Sequence, residues 1–140
     1  MRIILVSFFV LCGWSNTILA QNSRLQIKIN QGVIEPLKFA VPTFEAENIQ
    51  AKEIATKISQ IVAADLASTG LFREIPSNRF IAQRKTFEEP VRFPDWRAVN
   101  VEALVTAAVK TDLSGRVTVK FRIFDIFSEV QLGQGMQLKG

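Results

Sequence analysis

From Arg24 to Asn30 the chain alternates Leu25, Ile27 and Ile29 with Gln26, Lys28 and Asn30. A two-residue period sends one set of side chains toward a core, so this segment predicts a half-buried strand, which Gly32 ends. Leu37 to Val41 is a short apolar run between Pro36 and Pro42 and predicts a buried strand with two stops. From about Asn48 to Ser68 the period changes, with Ile54, Ile58, Ile61, Val62 and Leu66 recurring at three- and four-residue steps. That spacing is one face of an amphipathic helix. Gly70 follows and can take the left-handed conformation that closes a helix at low steric cost. Leu71 to Ile75 then reads as a strand. The order strand, helix, strand favours a parallel pair with the helix over one face.

Pro76 to Pro94 carries Phe80, Ile81, Phe87, Val91 and Phe93 without a sustained period, and predicts a connection with one helical turn around Ser77 to Ile81. Asp95 is placed as a helix cap before Trp96, and Val101 to Val109 as a strand with small residues. Asp112 to Gly115 makes a turn. Beyond it Val117, Val119, Phe121 and Ile123 alternate with Thr118, Lys120, Arg122 and Phe124, so the two segments form a hairpin. Gly133, Gln134 and Gly135 then loosen the pattern, and no terminal element is expected before Gly140.

The first twenty residues read differently. Arg2 is followed by the apolar run Ile3 to Leu11 and then by Thr17, Ile18, Leu19 and Ala20, the layout of a secretory signal peptide. The run is shorter than the ~20 residues a membrane-spanning helix needs. Cleavage is expected between Ala20 and Gln21, giving a leader over 1–20 and one domain over 21–140, expected to be incomplete at its carboxyl end. Cys12 is the sole cysteine and leaves with the leader, so no disulfide or thiol chemistry is expected in the mature domain. Leu11 before it is larger than lipoprotein processing favours.

Composition narrows the chemistry. Apolar residues are 48% and charged residues 21% of the chain, as in packed domains rather than disordered ones. The net charge of +4 falls to +3 when Arg2 is removed, with no dense basic run, so nucleic-acid binding is not expected. The chain has no histidine, which removes the usual base of a nucleophilic triad and a common zinc ligand. Glu88 and Glu89 are adjacent and do not define a spaced acid and base pair. Asp65 stands in a helical run without a visible partner and reads as a solvated charge. Gly32, Gly70 and Gly115 stand apart, so there is no phosphate-cradling loop. Trp96 and Phe121 read as core aromatics. No catalytic group, cofactor or metal is expected.

Four segments in order resemble the amino-terminal domain of the TolB family: Leu37 to Phe44 (LKFAVPTF), Ile61 to Phe72 (IVAADLASTGLF), Phe93 to Val105 (FPDWRAVNVEALV), and Phe121 to Phe127 with Gln131 to Gly133 (FRIFDIF, then QLG). The resemblance implies an α+β fold, a mixed β-sheet covered by helices, followed in the family by a further helix and a six-bladed β-propeller that this sequence does not contain. It implies a non-enzymatic periplasmic adaptor of the Tol-Pal cell-envelope system, which supports outer-membrane integrity and constriction during division. The family's mature amino-terminal strand engages TolA and lines up here with Arg24, Leu25, Gln26, Ile27, Lys28, Ile29 and Asn30. Arg24 replaces a common acid of the family and Lys28 a common apolar residue. Docking to the lipoprotein Pal belongs to the family's propeller, so Pal binding is not expected of this chain, nor more than marginal stability. Association with membranes is implied only through partners. An outer-membrane secretion or transport accessory, or a substrate-binding domain of a periplasmic hydrolase, are the alternatives of a different class.

Overall fold

A computed structural model of the chain describes residues 29–30, 32–81 and 86–140. The leader over 1–20, its cleavage point at Ala20 and Gln21, and Arg24 to Lys28 lie outside the described residues. The elements are β1 (Ile29–Asn30), β2 (Val33–Ile34), β3 (Leu37–Ala40), β4 (Glu45–Ala46), α1 (Lys52–Ser68), β5 (Phe72–Glu74), α2 (Phe93–Ala98), β6 (Ala103–Thr111), β7 (Val117–Asp125) and β8 (Val130–Lys139). Short 3-10 turns at Ile49–Ala51 and Ser77–Arg79 precede α1 and follow β5.

The main sheet has the order β5-β3-β6-β7-β8, with β4 also on β6. β3 runs parallel to β5 and to β6, while β6, β7 and β8 form an antiparallel meander, so the sheet is mixed. The parallel β3–β5 pair with α1 between them is the unit that the change of period predicts. β6 holds the centre. Ala103 to Val109 is buried without a break, because β6 has packed layers on both faces and neighbours on both edges.

α1 meets the sheet through its smallest side chains. Ala55, Ser59 and Ala63 are buried, with Ile54, Ile58, Val62 and Leu66 packed on the flanks of the same cluster. Ala103 and Ala107 lie on the sheet side of that cluster, so small residues face small residues and the helix can come close. Ser59 is satisfied locally, its Oγ donating to the Thr56 carbonyl at 2.8 Å. Ile61, counted in the apolar face from spacing, is half exposed: it follows Ile58 by less than a full turn and falls outside the buried arc. Gly70 has φ +72 and closes the helix as expected. Beside it, Thr69 Oγ1 donates to the Leu66 carbonyl and accepts from Leu71 N–H.

The opposite face carries a second cluster, in which Ala40, Leu104 and Phe124 of the sheet meet Ile75, Trp96, Val99, Val101 and Ile126. Trp96 is 2% exposed and edge-on to Phe80 at 5.0 Å, and Phe93 is edge-on to Phe124 at 6.3 Å. α2 begins before Asp95. Arg92 is its N-cap, with Pro94 in the first turn where a missing N–H costs no hydrogen bond, so Asp95 sits inside that turn and pairs with Arg92 at 3.1 Å.

β8 corrects the expectation of no terminal element. Gly133 and Gly135, at φ +71 and +76, form a bulge within a continuing strand rather than ending the pattern. β7 Phe121 faces Met136 and Ile123 faces Leu132, so Gly133 to Gly135 lie opposite Arg122 alone.

Candidate functional site

Of the residues singled out for chemistry, Asp65 lies on α1, and the adjacent Glu88 and Glu89 lie in the connection between β5 and α2. Asp65 is exposed on α1, and its carbonyl takes the Ser68 hydroxyl at 2.7 Å. Glu88 reaches Arg122 at 2.8 Å, and Glu89 closes a turn through its N–H on the Thr86 carbonyl. Among the described residues no three of His, Cys, Asp and Glu are placed to hold a metal ion. Among them, too, no helix is long and apolar enough to cross a membrane.

Arg122 has a role that the strand pattern hides. It lies over the Phe87 ring at 4.2 Å from the centroid, donates to the Phe87 carbonyl at 3.3 Å and pairs with Glu88. Phe87 N–H donates to the Glu45 carboxylate. Two sheet residues thus clamp the strap Thr86–Glu88 over the sheet, although Phe87 has no periodicity to announce its burial. Beneath the strap a cleft of about 340 Å³ reaches Pro42, Thr43, Thr106 and Ala107. Thr106 Oγ1 is buried there with no hydrogen-bond partner among the described residues.

The strands at the two ends of the described residues are the other feature. β1 and β2 pair antiparallel, Ile29 with Ile34 and Asn30 with Val33, in a two-stranded sheet of their own. Gly32 supplies the turn at φ +79. Of the expected interaction strand, Ile29 and Asn30 are therefore in a ladder separate from the main sheet. At the far side β8 is the last strand of the main sheet. α1 packs on β4, β5 and β6. A helix about 10 Å wide spans about two strands at about 4.8 Å spacing, which leaves the same face of β7 and β8 open. Val119, Phe121 and Ile123 are half buried there, and Met136 and Leu138 are 59% and 55% exposed. Sequence reading missed this strand, yet Val130, Leu132, Met136 and Leu138 keep a two-residue phase across the glycines.

Comparison with known proteins is consistent along the chain. The TolB amino-terminal domain family model matches residues 25–132. A Tol-Pal system protein TolB of Cereibacter sphaeroides is 50% identical over 121 residues, covering 86% of this chain and 27% of that protein. Its counterpart in Roseobacter denitrificans is 44% identical over 137 residues, covering 97% of this chain and 31% of that protein. The chain thus spans between a quarter and a third of the length of these curated relatives. The crystal structure of TolB from Acinetobacter baumannii superposes with a TM-score of 0.57 at 21% identity, over 74% of this chain and 23% of that one. A lipoprotein of Neisseria meningitidis, GNA1162, shares the fold at a TM-score of 0.57 and 16% identity, over 75% of this chain and 80% of that one. With the predicted order of strands and helix in place and 108 residues under one family model, the chain belongs to the TolB amino-terminal domain family.

Proposed function

We propose that this chain is the amino-terminal part of a periplasmic, non-catalytic adaptor of the Tol-Pal system, exported by its leader over 1–20 with cleavage between Ala20 and Gln21. Its contact with a TolA-like protein runs through Arg24 to Asn30, which adds as a strand to the partner. Backbone hydrogen bonds supply affinity in such a pairing, and Leu25, Ile27 and Ile29 on one side supply specificity. The observation that carries this reading is that, among the described residues, Ile29 and Asn30 pair with β2 in a two-stranded sheet and not with the main sheet. Contact with a Pal-like lipoprotein is assigned to sequence beyond this domain. Support for an envelope role comes from family membership.

Deleting Gln21 to Asn30 should weaken binding to a TolA carboxyl-terminal domain by at least about tenfold, read by calorimetry, with the circular dichroism of the domain unchanged. Equal affinity of the deleted and parent chains would sink the strand assignment. Loss of the fold would show that the segment is structural.

A further inference from the structure

We propose that the strap Thr86–Glu88 is a latch over a built-in break in the main sheet, and that it opens by itself while the core stays folded. The break is visible in the register. Four residues, Val41 to Phe44, lie between the paired positions Ala40 and Glu45, against three, Val105 to Ala107, between their partners Leu104 and Ala108. The extra residue carries the chain away from β6 there, and Pro42 within the detour has no N–H to return to a ladder. The cleft of about 340 Å³ lies at this break, bounded by Pro42, Thr43, Thr106 and Ala107 of the sheet and by Thr86 and Phe87 of the strap.

Phe87 is the part of the strap that closes it. Phe87 is 8% exposed while Thr86 and Glu88 on either side are exposed, so it alone anchors these three residues inward. It belongs to neither of the two hydrophobic clusters that flank the sheet. Withdrawing it therefore uncovers the break and leaves both clusters packed. A segment that contributes little to the common core opens at a lower free energy than the fold as a whole. The closed state also leaves the Thr106 hydroxyl buried with no hydrogen-bond partner among the described residues, and opening the cleft gives it access to water.

The fastening is made by side chains rather than by a packed surface. Arg122 stands directly opposite Thr106 in the β6–β7 ladder, and so beside the cleft. Its guanidinium lies over the Phe87 ring, donates to the Phe87 carbonyl and pairs with Glu88, so ring, carbonyl and carboxylate all answer to one cation. The Glu88 side chain is 73% exposed, where water and salt compete with the pair. Phe87 N–H in turn donates to the Glu45 carboxylate of β4. The bulge of β8 leaves room for this reach, since a Cβ at Gly135 would stand 3.5 Å from Arg122 Cγ. Removing the Arg122 guanidinium loosens three contacts at once and touches neither cluster.

The Phe87 amide reports on the latch directly, because its bond to Glu45 holds only while the strap is shut. Amide exchange is followed by NMR in rising, sub-denaturing urea, on protein recovered from cells expressing the full 140-residue sequence. In the parent, exchange at Phe87 should be nearly independent of urea. Glu102 and Ile75, whose amides bond to the Lys38 and Phe39 carbonyls, should instead accelerate with urea as global unfolding does. Arg122→Gln should speed exchange at Phe87 by about tenfold or more and leave Glu102 and Ile75 as they were. In a Cys12→Ser background, Thr106→Cys should react with a thiol reagent about tenfold faster when Arg122→Gln is added. Equal urea dependence at Phe87 and Glu102 in the parent would show that strap and core open together, and it overturns the proposal even should Arg122→Gln fail to fold. Exchange at Phe87 or thiol reactivity indifferent to Arg122→Gln, or equal acceleration at all three amides, overturns it as well.

Discussion

Asn48 joins two parts of the chain that are far apart in sequence. Its Oδ1 accepts from Ala51 N–H at 3.2 Å, capping the turn into α1, and from Thr111 N–H at 3.3 Å, while its Nδ2 donates to the Thr111 carbonyl at 2.5 Å. One side chain thus stands in for a missing residue of a neighbouring strand at the end of β6. Asn48→Ala should cost about 1–3 kcal/mol in urea denaturation, and Asn48→Asp, which keeps the acceptor and loses the donor, should cost less. Asp112 organises the next turn. Its Oδ1 accepts from the Ser114 hydroxyl at 2.6 Å and from the Arg116 and Ser114 N–H groups at 2.9 Å. The Ser114 hydroxyl bond first, then the Arg116 N–H bond, holds this carboxyl below the usual carboxylate range. A lowered folded value means that its stabilisation is complete above the unfolded value of about 3.9 and is lost as pH falls through the folded value. The thermal midpoint of Asp112→Asn should therefore fall less steeply than that of the parent below about pH 4. Asp112 was legible as a turn residue from its neighbours Leu113, Ser114 and Gly115, but the reach of Asn48 to Thr111 joins positions that no local pattern connects.

At the level of elements, legibility followed the regularity of burial. α1 and β7 each keep one period from end to end, and β3 and β6 are apolar runs buried on both faces, so these elements, with β5 after the helix-closing Gly70, were readable to within a few residues. α2 was misplaced at its start because Asp95 has the chemistry of a cap, while Pro94 fixes the helix one residue earlier in its first turn. β8 was lost because glycine weakens a strand on average, and only the register with β7 shows that the phase survives. The two glycines are not equivalent. A Cβ at Gly133 meets nothing within 4 Å, whereas at Gly135 it would lie 3.1 Å from the Phe121 carbonyl oxygen. Gly133→Ala should cost about 1–2 kcal/mol for its left-handed backbone alone, and Gly135→Ala should cost more, because the clash is with the backbone of β7. Equal losses in a denaturant titration would show that β8 gives way without strain. Of the candidate site, the alternation over Arg24 to Asn30 was visible in sequence, but the pairing of Ile29 and Asn30 with β2 was not, since pairing partners are a property of the fold.

Across the whole molecule, β6 is the strand on which both clusters rest. Ala103, Val105, Ala107 and Val109 serve the α1 side, and Leu104 serves the Trp96 side. β3 and β4 reach β6 through pairs such as Phe39 with Ala103 and Glu45 with Ala108, more than sixty residues apart in sequence. A chain ending at Asn100 keeps α1 and the β3–β5 pair in sequence yet lacks the surface that covers them, so it should melt without a cooperative transition in calorimetry; a sharp transition would show that the first half is a folding unit by itself. There is a temporal side to this architecture. A ribosome or a translocation channel releases the amino-terminal end first, at roughly 5–20 residues per second during synthesis. Ile54, Ile58, Val62 and Leu66 therefore emerge several seconds before the strand they pack on, and for that interval the newborn chain depends on whatever shelters it.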